Sequence, residues 1–232
     1  MRESVSVNFK KSFPLFPLPE TALLPHTIVP LSVHQASFRQ LVDHALDGSG
    51  QIAVATFGTQ NDAAPLVQTP NVRPAVCLAQ IVQHESQNSG YNVLLYGLCR
   101  ATIQKIEAPS LEFDYCKASI TPTEASETEE LDVEHRRVEL QQLLQRPNLQ
   151  RLERLEALEY WLEQEEISTP ALFELIGGSL LDDPEFRYEL LAEPSCEERT
   201  IRILSELRHI DMLLSKSEDQ SYNRWDKGIS WN

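Results

Sequence analysis

The stretch FPLFPLPETALLPHTIVPLSV, residues 13–33, decides the fold of the first half of this chain. It places five prolines among closely spaced leucine, isoleucine, valine and phenylalanine residues. Because proline lacks a backbone N–H and has a fixed φ, a sheet accepts it only at edges, strand starts and bulges. The apolar side chains still require burial, so the stretch predicts short strands broken at the prolines, rather than one long strand or a helix.

The residues that follow predict one helix and several more strands. Apolar residues recur at helical spacing from Gln35 to Leu46. Runs rich in β-branched residues come next, and two of them flank a polar turn as the strands of a hairpin do. Several short strands with turn signals indicate a small, partly closed barrel or sandwich. The predicted strands are 51–57, 76–85, 91–106 and 111–120.

The second half of the chain has a helical pattern. Residues 121–130 have the composition of a linker, after which the apolar residues recur at helical spacing. Four or five short helices are predicted up to about Leu214, and Thr169 and Asp183 are predicted N-caps because proline follows each of them. The glycine pair at 177–178 predicts a loosened or ended helix.

Together these patterns predict an α+β protein. We expect a β-rich pseudo-barrel lobe with one helix over residues 13–121, followed by an α-helical bundle over 131–215. The tail, 216–232, is polar apart from a few residues that include Trp225 and Trp231. Two interpretations of these tryptophans stay open. They fold back onto the domain, or they form a short docking motif, since tryptophan is enriched among interface hot spots.

Three segments in order resemble the N-terminal domain of Lon protease. The opening stretch is similar to the family's PLFPL…LLP…VPL signature, and residues 91–100, with YNV and GLCR, resemble its middle segment. Residues 180–199 resemble its late helix pair. The resemblance covers about residues 13–215. It implies a domain that recognises unfolded or tagged protein segments and helps the protease oligomerise, without the ATPase and protease modules of whole Lon proteases.

Comparison with the family's pattern shows two departures and one match. His26 lies where the opening motif usually has a glycine, so we expect a different turn there. Residues 75–78 lack the glycine usually seen in that strand. Arg100 matches an arginine that is common in the family, and we expect it to have a structural role, pairing with a carboxylate or with carbonyl oxygens.

The net charge of −15 is concentrated in the second half of the chain. Residues 1–122 contain 8 Lys and Arg against 9 Asp and Glu, whereas residues 123–232 contain 12 against 26. An acidic surface repels phosphate backbones, so we expect no nucleic-acid binding. No apolar run approaches the roughly 20 residues that span a bilayer, and no signal-peptide pattern opens the chain. We therefore expect a cytoplasmic protein that does not bind membranes.

Sequence motifs of catalysis and metal binding are absent from the chain. It contains no G-x-x-x-x-G-K-[ST] phosphate loop and no G-x-S-x-G elbow. The six histidines lack the spacing of a helical metal site, and the four cysteines are scattered rather than paired. We therefore predict no catalytic residue, no cofactor and no metal site, and a protein that is not an enzyme.

The preferred interpretation is a non-catalytic protein- or peptide-binding module, an adaptor or regulator in protein quality control. By the resemblance, its expected partners are unfolded or tagged protein segments, with a protease as a further candidate. Two alternatives stay open. One is a small-molecule-binding domain, because the related cereblon family sets a Lon-like domain beside a ligand-binding module; the other is an enzyme with a site assembled from distant residues. Candidate partner-binding residues are Phe13, Phe16, Tyr91, Tyr96, Trp225 and Trp231, of which the first four also suit core positions.

Overall fold

The computed structural model describes residues 6–19, 21–58, 70–87, 90–123, 133–151, 155–164 and 166–225. It has the α+β class that the sequence predicts. Contacts along the backbone divide the chain into two compact units. The first comprises Met1–Ala125 and Gly177–Pro194, and the second comprises Ser126–Ile176 and Ser195–Asn232. The sequence-based lobes at 13–121 and 131–215, and the tail at 216–232, stay predictions.

The described residues form six strands and six α-helices. The strands are β1 (Phe13–Leu18), β2 (Ile28–Val33), β3 (Gln51–Phe57), β4 (Val72–Gln87), β5 (Gly90–Glu107) and β6 (Lys117–Pro122). The helices are α1 (Ala36–Leu46), α2 (Glu134–Leu144), α3 (Leu155–Glu163), α4 (Thr169–Leu180), α5 (Pro184–Ala192) and α6 (Cys196–Trp225), with a 3-10 turn at Leu149–Arg151.

A small closed barrel forms the centre of the first unit. The strand order is β2-β5-β4-β3-β1-β6, and β5 also pairs with β6, which closes all strands except β2 into a ring. β1 and β3 are parallel, and the other neighbours are antiparallel. Small and large side chains alternate in the interior, as a narrow barrel requires. The interior residues are Phe13, Leu15, Ala53, Ala55, Val76, Leu78, Ala101, Cys116, Ala118 and Ile120.

The prolines of the opening stretch lie where the ladder can lack a donor. β1 ends at Leu18, directly before Pro19. Pro17 lies inside β1, but at this position β1 pairs only with β3, since its contact with β6 is limited to residues 13–14. Pro30 lies in β2, which pairs with β5. The structure therefore contains short strands that are interrupted or bordered by prolines, as the sequence predicts.

Helix α5 packs against β4 in the first unit. Asp183 is its N-cap, as predicted, because its Oδ1 accepts a hydrogen bond of 2.8 Å from the N–H of Phe186. The hydroxyl of Tyr188 accepts a hydrogen bond of 3.1 Å from the N–H of Ala75 in β4. These contacts fix residues 177–194 onto the outer side of the barrel.

Arg100 has the structural role that the sequence analysis assigns to it. Its side chain is almost completely buried, and Nε donates a hydrogen bond of 3.2 Å to the carbonyl oxygen of Leu190 in α5. A buried guanidinium requires such acceptors, because its donors cannot be left without partners. Carbonyl pairing, one of the two predicted options, is therefore confirmed.

The second unit is helical and carries two arginine anchors. Arg137 of α2 donates to three backbone carbonyl oxygens between residues 162 and 167, at 2.8 to 3.0 Å. Arg199 of α6 forms a 3.0 Å ion pair with Glu174 of α4, and both side chains are buried. Such anchors orient helices whose apolar faces alone permit several registers.

Two predictions about helix ends are wrong. Thr169 is the first residue of α4 rather than its N-cap, and its buried Oγ1 has no hydrogen-bond partner among the described residues. The last helix does not end near Leu214 but continues to Trp225. No proline or glycine interrupts residues 215–225, so no residue there stops the helix.

Two further segments differ from expectation. Residues 111–116 form no strand, because the Ser110 hydroxyl accepts the N–H groups of Glu112 and Phe113 and holds the chain in turns; β6 begins only at Lys117. The glycine pair does not end α4, which continues to Leu180. Gly178 instead allows the methyl group of Thr27 to approach the helix, since a Cβ there would lie 2.7 Å from Thr27 Cγ2.

Candidate functional site

Beyond the barrel, β4 and β5 continue as an antiparallel ladder that also pairs with β2. β2 runs along residues 91–96 of β5, and residues 92–94 of β5 pair in turn with residues 83–85 of β4. Residues that are directly paired point to the same face of a sheet. One face is exposed, and we call it the hairpin face. It comprises Ile28, Pro30, Ser32, Gln83, Glu85, Asn92, Leu94 and Tyr96.

A groove of about 460 Å³ runs along the hairpin face. The middle strand β5 supplies its floor through the half-buried Asn92 and Leu94, while exposed residues of β2 and β4 form its sides. Pro30 lies opposite Leu94 in the register, so the centre of the groove is apolar. The groove lies over β5, between its two neighbouring strands, and is open to solvent.

The two ends of the hairpin face differ in chemistry. At one end, Ser32 Oγ donates a hydrogen bond of 2.9 Å to Asn92 Oδ1, beside the carboxylate of Glu85. At the other end, Ile28 is 59% exposed opposite Tyr96. Val82, the extra residue of a bulge in β4, adds a second exposed aliphatic side chain next to the face. The arrangement offers apolar contact at the centre and at the Ile28 end, and hydrogen bonding at the Ser32 end.

His26 lies beside Tyr96, at the apolar end of the hairpin face and beyond the residues that line the groove. It has φ of 62°, and among the described residues no other residue besides glycine has a positive φ. Its N–H donates to Gly97 O at 2.9 Å, and its Nδ1 lies 3.2 Å from the hydroxyl of Tyr96. Burial raises the pKa of Tyr96 above its usual value. The backbone at position 26 has the left-handed conformation that glycine favours. The presence of histidine in place of the family's usual glycine has therefore not changed this conformation.

The opposite face of β5 carries Tyr91. Its hydroxyl donates a 2.5 Å hydrogen bond to Asp43 of α1, and this bond raises the pKa of Tyr91. A polar groove of about 300 Å³ lies there, lined by residues of α1 and of the end of the ladder, including Arg39. Tyr91 and Tyr96 therefore point to opposite faces of one strand and do not share a surface.

The other predicted aromatic residues lie elsewhere. Phe13 belongs to the barrel interior, and Phe16 is buried against Phe38 with their ring centroids 4.7 Å apart. Trp225 is the last residue of α6, and Trp231 lies outside the described residues, as does the side chain of Trp225. Among the described side chains, Phe13, Phe16, Tyr91 and Tyr96 do not share one surface; the grouping with the two tryptophans stays a prediction.

Sequence reasoning missed the aliphatic residues of the hairpin face, above all Ile28 and Leu94. The sequence signal for these residues is Pro30, because a proline within a strand indicates an edge strand, which pairs on one side only. Residues 28, 30 and 32 of that edge strand are exposed, which is the alternation of a half-buried strand.

Across the described ranges, no group of three or more histidine, cysteine, aspartate or glutamate side chains is arranged to hold a metal ion. The same part of the chain contains no helix that is both long and apolar enough to cross a membrane.

The described residues form an α+β fold in which a barrel presents an exposed sheet face. Residues 12–209 match the family described as the ATP-dependent protease La (LON) substrate-binding domain, and the chain belongs to this family. The family is defined by substrate binding, and its domain is not itself catalytic.

Solved structures of Lon N-terminal domains have the same fold. The N-terminal domain of the Mycobacterium avium complex Lon protease is 22% identical, with a TM-score of 0.59 over 85% of this chain and 97% of that one. A Lon N-terminal domain protein from Xanthomonas campestris is 18% identical, with a TM-score of 0.56 over 84% of this chain and 98% of that one. No curated protein matches the chain.

Proposed function

We propose that this protein binds unfolded segments of other proteins and that the hairpin face is the binding surface. The observation that carries the proposal is the open groove of about 460 Å³, with Leu94 in its floor and polar groups at its end. Membership of a substrate-binding family supports protein segments as the ligand class. Exposed apolar surface with a polar border is also what recognition of an unfolded chain requires.

The groove suits an extended chain better than a compact molecule. It is open to solvent, so it cannot enclose most of the surface of a small ligand, as small-molecule sites do. Pro30 has no N–H to donate, which disfavours addition of a client strand to the edge of β2. Recognition therefore depends on side chains of the hairpin face rather than on an added β-ladder.

The charge of the face predicts a preference among segments. Glu85 is its charged member, next to the uncharged Gln83, Ser32 and Asn92. A segment with apolar residues beside lysine or arginine places its cation near this carboxylate. An acidic segment is repelled by Glu85.

We further propose that the protein acts as an adaptor or regulator in protein quality control, with an ATP-dependent protease as its partner. A module that holds unfolded segments without processing them needs a second protein to act on them. Adding the purified chain to such a protease and an unfolded substrate tests this role. An adaptor accelerates degradation and a competing binder slows it, whereas an unchanged rate contradicts the proposal.

Binding itself is tested with an array of unfolded peptides and two matched variants. Ile28 is 59% exposed on the hairpin face, and Val138 of α2 is 55% exposed in the second unit. Covering the exposed part of Ile28 contributes on the order of 1–2 kcal/mol, so Ile28→Asn should weaken peptide binding about tenfold. Val138→Asn should leave it unchanged. Equal effects of the two substitutions would exclude the hairpin face as the binding surface.

A further inference from the structure

His26 adopts a backbone conformation that is unfavourable for its residue type. Its φ of 62° brings Cβ close to the following carbonyl group, a cost that glycine does not have. Strained residues persist where the surroundings hold them in place, and they cluster at functional sites. A conformation that costs stability at a half-buried turn calls for a gain elsewhere.

The surroundings of His26 fix the backbone without using its side chain. His26 N–H donates to Gly97 O at 2.9 Å, and Gly97 N–H donates to Thr27 O at 3.0 Å. Thr27 Oγ1 donates to Leu24 O at 2.7 Å and closes the turn. Glycine at position 26 would satisfy the same backbone hydrogen bonds without strain. The gain from histidine therefore lies in its imidazole, whose Nδ1 is 3.2 Å from Tyr96 Oη.

Tyr96 lies at the apolar end of the hairpin face, opposite Ile28 and next along that face from Leu94. A phenol hydroxyl can donate one hydrogen bond and accept others, so its contact with His26 leaves it able to bind a second group. We propose that His26 is a positioning residue: it holds the Tyr96 hydroxyl so that this group hydrogen-bonds the backbone of an extended segment that continues from the groove along the hairpin face. This inference rests on the function proposed above.

The test compares His26→Gly, Tyr96→Phe and the double variant. The probe is the peptide that binds most tightly in the array, fluorescein-labelled and followed by anisotropy. Each single substitution should weaken binding by roughly fivefold, the contribution of one hydrogen bond. The double variant should bind no more weakly than Tyr96→Phe, because both changes remove the same interaction. The thermal midpoint of His26→Gly should stay close to that of the unsubstituted chain, since relief of backbone strain offsets the lost contact.

Tyr91→Phe is the matched control. It removes the hydroxyl of another tyrosine of β5, on the opposite face, and should leave peptide affinity unchanged. If no peptide binds the unsubstituted chain, the proposed function fails and this inference fails with it. If the unsubstituted chain binds and His26→Gly binds equally well, the inference alone is overturned. Weaker binding together with a markedly lower thermal midpoint would also overturn it, because His26 would then act only on the fold.

Discussion

Thr27 and Gly178 provide a double-mutant cycle for the contact that anchors the start of β2. Alanine is about 1 kcal/mol more favourable than glycine inside a helix, so Gly178→Ala should stabilise α4 if nothing else intervened. A Cβ at this position, however, lies 2.7 Å from Thr27 Cγ2. Overpacking of this kind costs about 1–3 kcal/mol. Because the hydrogen bond from Thr27 Oγ1 to Leu24 O fixes the side chain, the methyl group cannot rotate away freely. We expect a net loss of up to about 2 kcal/mol.

Thr27→Ser removes the opposing methyl group and keeps the hydroxyl for Leu24. In this background the nearest atom of residue 27 to the new Cβ is its own Cβ, at an ordinary 3.5 Å. Gly178→Ala should then stabilise the protein by up to about 1 kcal/mol, which gives a coupling energy of about 1–3 kcal/mol. Urea unfolding of the four proteins, followed by circular dichroism, measures it. If Gly178→Ala has the same effect in both backgrounds within about 0.5 kcal/mol, the packing argument is refuted.

Three further predictions concern stability. Gly97→Ala drives a methyl group into the carbonyl oxygen of Leu24, a backbone atom that cannot move aside. We expect the free energy of unfolding, measured with urea, to fall by at least about 2 kcal/mol. Near-normal stability would contradict this prediction. Glu174→Ala removes the carboxylate that pairs with the buried Arg199. We expect the free energy of unfolding to fall by about 3 kcal/mol. A decrease below about 1 kcal/mol would show that the pair behaves like a surface ion pair. The Arg73 guanidinium lowers the pKa of Glu185 through a hydrogen bond, so its stabilisation is present above the usual carboxyl pKa and is lost as pH falls through the lowered value. Glu185→Gln should therefore lower the free energy of unfolding by less than about 1 kcal/mol at pH 7 and leave it unchanged in strong acid. A destabilisation that grows on acidification would contradict the predicted pH dependence.

The parts of the fold that depend on local signals could be predicted from the sequence. Asp183 followed by proline specifies a helix start through one side-chain acceptor and one fixed φ, and the structure contains that cap. Thr169 has the same pattern but lies one residue inside its helix, because capping also depends on where the preceding chain enters. Closure of the barrel has no local signal at all. It requires β5 to pair with both β4 and β6, which is a non-local outcome of packing.

Strand geometry explains why the sequence alone does not predict the location of the candidate site. Side chains alternate between the faces of a strand, so Tyr91 and Tyr96, an odd number of residues apart along β5, lie on opposite sides. The sequence places both on one strand, but it does not say which side is covered by α1 and which is open to solvent. The one sign of the positive φ at His26 is the glycine that the family usually has there, whereas the conformation itself depends on the hydrogen bonds that residues 26 and 27 make to Gly97. Residue type and spacing thus define the strand, while the elements packed against it decide what surrounds each of its two tyrosines.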